Sequence, residues 1–165
     1  MIRTIPSCFA VALIGLGVPS FAAQAASDSA QGALVVQAQE KPLSVDLKYA
    51  YFLIGPDLFE ANKTTRRVVF SADDLRATIE ACTEVRCATL ISNDGLVLEL
   101  DDAGSASYWA HVQSTQYTSS VDAAGLVLRI DKPDRLAGTL KIDDSGVTAR
   151  ITFDATRVRT FGPAE

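Results

Sequence analysis

A mainly β fold is predicted: an antiparallel sandwich or flattened barrel of about seven to nine strands with one short α-helix. Three observations predict it. Apolar and polar residues alternate with period two from Leu43. Beyond Cys87, strand-like runs recur about every 10 residues, divided by Gly, Asp and Pro. Only residues 71–82 carry an apolar stripe at helical spacing.

Residues 1–25 have the layout of a secretory signal peptide. Arg3 supplies a positive start, residues 9–18 an apolar run, and Ala23-Gln24-Ala25 an A-x-A cleavage site. The run is shorter than the roughly 20 residues a membrane-spanning helix needs. The mature chain is expected to begin at Ala26, with a flexible leader over 26–42 and a single β-rich domain over 43–165. The whole chain carries a formal charge of −5, and loss of Arg3 makes the mature chain more acidic.

In the first strand Leu43, Val45, Leu47, Tyr49, Tyr51 and Leu53 share one face. The other face begins polar and turns apolar at Ala50, Phe52 and Ile54, so the far end is expected to be covered on both sides. Gly55-Pro56-Asp57 breaks the strand, residues 58–64 form a loop, and residues 65–70 form a second strand. Alternation sends Arg66 and Arg67 to opposite faces, and whichever is buried must pair with a carboxylate. Ser71-Ala72-Asp73-Asp74 reads as a capping box opening a helix with Leu75, Ile79 and Cys82 inward and Arg76 and Glu80 outward. Removal of Cys8 leaves Cys82 and Cys87, an even pair expected to form a structural disulfide. Its spacing lacks the C-x-x-C pattern of redox pairs. Strands are then expected near 87–91, 96–100, 107–118, 126–130, 135–142 and 147–153, with residues 156–161 as an edge.

The acidic balance argues against nucleic acid, which selects basic patches, and no membrane span remains after signal cleavage. The mature chain has no Met and only one His, so neither a metal nor a cofactor is expected. Asp101-Asp102 and Asp143-Asp144 lack calcium-loop spacing and read as turn formers. No nucleophile elbow, P-loop or dinucleotide fingerprint occurs, so no catalytic residue is assigned. Alternation places Ser107, Trp109, His111 and Gln113 on one face, where an aromatic beside polar groups offers both area and direction for binding. Gly104-Ser105-Ala106-Ser107-Tyr108 resembles a loop of the periplasmic lysozyme inhibitors, which are small secreted β-barrels with a disulfide. It covers five residues, and the closely spaced cysteines differ from that family's bridge, so no family is assigned.

These readings point to a periplasmic or secreted, non-enzymatic binding protein with a protein or glycan partner, of an inhibitor or immunity type. The alternative is a carrier holding a lipid or small apolar ligand inside the barrel. A hydrolase built on His111 or on paired carboxylates has the least support.

Overall fold

The computed structural model describes residues 28–38, 41–60, 62–90, 94–113, 115–144 and 146–162. The expected signal peptide, its cleavage site and Cys8 lie outside them, as does part of the turn expected at Asn93-Asp94-Gly95. Among the described residues ten strands run in the order β1 (Ser29–Gln37), β2 (Pro42–Leu47), β3 (Tyr49–Pro56), β4 (Thr64–Ser71), β5 (Asp94–Leu100), β6 (Ala106–Val112), β7 (Thr115–Ser120), β8 (Leu126–Lys132), β9 (Arg135–Asp144) and β10 (Val147–Thr160). Two helices, α1 (Arg76–Ala81) and α2 (Val85–Thr89), lie between β4 and β5. The expectation of a mainly β fold holds, with one strand more than the upper count and two helices in place of one.

The strands form a single curled sheet, a half-barrel, and a fork in it sets its shape. β1 lies between β10 and β2 and is antiparallel to both, which makes those two parallel to each other. β2 runs on past Lys48 into β3, beyond the beginning of β1. There β10 and β3 meet directly as a parallel pair, Arg157 opposite Phe52 and Thr160 opposite Ile54. Asp28 sits at the crotch of the fork. Its carboxylate accepts the Thr156 amide at 2.8 Å, accepts the Thr156 hydroxyl, and pairs with Arg76. From β3 the sheet continues antiparallel through β4, β5, β6 and β7, and from β10 through β9 to β8.

Two apolar cores follow from alternation on this curl. The inner core joins Leu34, Val36, Phe52, Phe70, Leu98, Leu140 and Phe153 across the two arms, with the Phe70 and Phe153 rings edge-on at 5.3 Å. The outer core lies under the helices, where Tyr51, Leu53 and Val69 meet Ile79, Cys82, Val85 and Phe161. β3 serves both cores, as its two apolar faces predict.

Four expectations need correction. Residues 29–37 are not a flexible leader but β1, with Leu34 and Val36 fully buried. Small residues at Ala30, Gly32 and Ala33 hid its alternation, and its backbone partners come from distant segments. The capping box does not form. Ser71 stays in β4, and α1 starts at Arg76, where the Arg76 amide donates to Asp74 at 3.0 Å. Tyr51 replaces the cap by donating its hydroxyl to Asp74 at 2.6 Å and accepting the Leu75 amide at 2.9 Å. The segment after Cys87 continues as helix α2 and not as a strand. Residues 156–160 are not a separate strand but the end of β10, where the β9 ladder stops at Thr156 and β3 pairs with the chain from Arg157 on.

Candidate functional site

The outer face of β4 to β7 presents rows of side chains fixed by strand register. One row runs Val69, Val97, Trp109, Thr118, and the next runs Arg67, Glu99, Ser107, Ser120. On the other side of the Trp109 row, Ser71, Gly95, His111 and Gln116 stand opposite one another. Gly95 has no side chain, so the sheet is hollowed there beside His111. The helices cover the β3 side of this face and stop short of β6. A groove of about 180 Å³ remains. Val69, Val97 and Trp109 contribute its floor, and it is walled by Leu58 and Phe59 from the β3–β4 loop and by Arg86, Thr89 and Leu90 from α2 and its end.

Phe59 is 79% exposed and Leu90 67%, and both border this groove. Among the described residues only Val127 is a further large hydrophobic side chain this exposed. Scattered apolar residues on a surface mean little, but two that converge on one hollow beside a Trp make that hollow the candidate site. The Phe59 ring lies 6.2 Å from the Trp109 ring with 19° between their planes.

Both aromatics are held by polar groups placed behind them. Asp57 accepts the amides of Phe59 and Glu60 at 2.8 and 2.9 Å and the Thr65 hydroxyl at 3.2 Å, which fixes the loop that carries Phe59. Burial works against the Asp57 carboxylate, but those amide and hydroxyl donors outweigh it and hold the carboxyl below its ordinary 3.8. Trp109 donates its indole N–H to Glu99 at 3.0 Å, and Glu99's other oxygen accepts Arg67 Nε at 2.6 Å. Arg67 is wholly buried, and its Nη2 has no hydrogen-bond partner among the described residues. The carboxylate expected for a buried arginine is therefore Glu99, and the pair ties down the indole. Arg66 turns to the opposite face and pairs with Asp131 of β8 across the curl.

Alternation correctly puts Ser107, Trp109 and His111 on one face, but the groove takes only Trp109 and His111. Ser107 borders a separate polar hollow with Asp57, Lys63, Thr65 and Asp101. Gln113 is excluded, because the chain reverses there with φ of 56° and its amide donates to Asp94. Gln116 of β7 takes the place expected for it beside His111. Phe59, Leu90 and Glu99 were not signalled as site residues. An apolar Leu58-Phe59 pair inside a loop was the one local hint.

Cys82 and Cys87 are bonded, with Cα atoms 5.6 Å apart, and join α1 to the helix that walls the groove. Among the described residues no group of three potential metal ligands occurs, and no helix is long and apolar enough to cross a membrane. No protein-family model matches the chain, and no match is found among curated proteins or solved structures.

Proposed function

We propose that this is a non-enzymatic binding protein that works outside the cytoplasm, in the periplasm or after secretion, and that its contact site is the outer-face groove. The convergence of exposed Phe59 and Leu90 on Trp109 carries the reading, since such a surface loses apolar area to water until something covers it. The signal-peptide layout and the bonded cysteines support the location. The lining supports binding over catalysis. His111 is its one imidazole, and its one hydroxyl, on Thr89, donates to the Val85 carbonyl of its own helix at 3.1 Å. What the groove recognises is an apolar or aromatic group, offered by a small ligand or by a protein of the inhibitor or immunity type.

The carrier alternative finds its room here and not inside the curl. The space between the two arms is occupied by Leu34, Phe52, Phe70, Leu98 and Phe153, each no more than 2% exposed.

Trp109 is the single tryptophan of the chain, so its emission reports the groove directly. The neutral single-ring probe 4-nitroaniline is expected to bind saturably and to quench Trp109 by energy transfer. Phe59→Ala with Leu90→Ala should weaken that binding about ten-fold. Absence of saturable binding, or equal binding by the double variant, overturns the assignment.

A further inference from the structure

The groove's charge, and not only its apolar walls, identifies a ligand class; this rests on the groove being the binding site. The one carboxylate in its lining, Glu99, is already occupied: one oxygen accepts Arg67 and the other accepts the Trp109 indole. With the buried Arg67 cation directly behind it, Glu99 presents no uncompensated negative charge to the groove. The opposite wall carries Arg86, whose guanidinium pairs with no carboxylate among the described residues. In a chain of net charge −5, the free charge at this one apolar hollow is thus positive. His111 and Gln116 add hydrogen-bonding capacity beside it. The size is also restrictive. A volume of about 180 Å³ compares with the roughly 150 Å³ of an apolar cavity that takes a benzene ring.

The geometry points to a small organic monocarboxylate with an apolar body of about one ring, the body against Phe59 and Trp109 and the carboxylate at Arg86. Phe59 and Trp109 already lie as nearly parallel plates, the arrangement a flat body extends by stacking. Arg86 suits the head because a guanidinium can meet both carboxylate oxygens at once.

The test compares 3-phenylpropanoate with its uncharged isostere 3-phenylpropanamide, by Trp109 fluorescence and calorimetry on the full mature protein. The acid is expected to bind about five-fold tighter than the amide, with the difference shrinking as salt is added. Arg86→Gln should remove that preference by weakening the acid more than the amide, and Arg86→Glu should invert it. Far-UV dichroism confirms that these exposed-site variants fold. Equal binding of acid and amide, insensitive to both substitutions, overturns the carboxylate assignment and leaves the groove reading intact. Binding of neither overturns both. A tripeptide ending in Phe that binds more than ten-fold tighter than the free acid replaces the small acid by a protein C-terminus and overturns the proposal.

Discussion

Arg67 shows how much a single side chain decides here. Its charge is buried and balanced by one partner, so the pair is an obligation more than a gain. Glu99→Gln is expected to cost about 3–5 kcal/mol in urea unfolding, because it strands a buried cation. The same variant keeps one acceptor oxygen for two donors, and Trp109 emission should broaden and red-shift as Arg67 Nε claims it. Arg67→Met with Glu99→Leu should cost much less than the single change, since no charge is left uncompensated. A near-neutral Glu99→Gln contradicts this account. The buried arginine and its need for a carboxylate were legible in the sequence from alternation through Arg66-Arg67. That the carboxylate is Glu99 was not, because it depends on the β4–β5 register. Trp109 and His111 were readable as neighbours for the same local reason. Phe59 and Leu90 reach them only through tertiary packing of a loop and a helix end.

At the scale of elements, α1 and α2 have six and five residues, too few to persist alone. They hold their places through the outer core, the Tyr51–Asp74 contact and the disulfide. Cys82→Ser with Cys87→Ser is expected to lower stability by about 2 kcal/mol, by removing a small closed loop from the unfolded chain. The variant should also weaken probe binding at the groove, because α2 supplies a wall. Thermal melts and the fluorescence titration check the two effects separately, and an unchanged titration detaches the disulfide from the site. β1 carries a sharper constraint at Gly32, where φ is +153° and an added Cβ would lie 2.0 Å from the Arg150 carbonyl oxygen. Gly32→Ala should therefore lower the melting temperature by several degrees, an overpacking cost of about 1–3 kcal/mol. The helical stripe of Leu75, Ile79 and Cys82 was visible in advance, yet the helix start was misplaced. Ser71 is claimed by the β4 ladder and Tyr51 takes over the capping role, a competition that local pattern does not contain.

The whole molecule titrates at both ends of the pH scale, and the signs follow from its ties. Asp154 is held below 3.8 by its hydrogen bond to Arg135, Asp74 by the Tyr51 hydroxyl and the Arg76 amide, and Asp57 by the donors described above. Carboxyls lowered in the fold contribute stability that is complete above the unfolded value and lost as pH falls through the lowered ones. Tyr108 is pushed up to about 12 by burial and by its hydrogen bond to Asp144, and Tyr51 is raised by burial and by Asp74. Phenols raised in the fold contribute stability that is complete below 10 and lost as pH rises beyond it. The melting temperature is expected to stay level from about pH 5 to 9 and to fall on both sides, as dichroism would record. A decline that begins near neutrality contradicts this assignment. At this scale the sequence disclosed the strand-rich character and most antiparallel neighbours, because those are set by alternation and short turns. The parallel meeting of β10 and β3 was out of reach, since the residues that make it lie about a hundred positions apart.

The fork at Asp28 bears on the order in which the chain can assemble. Asp28 and Thr156 stand 128 positions apart, so β1 cannot be completed until residues 147–156 exist. A β1–β2 hairpin must wait with an open flank, and distant pairings of this kind slow folding and invite association between chains. Joining the two ends and opening the chain at Lys41 would turn that latest closure into a neighbouring one, with β1 following directly on β10. A circular permutant of this design should refold faster than the natural order while keeping the same sheet.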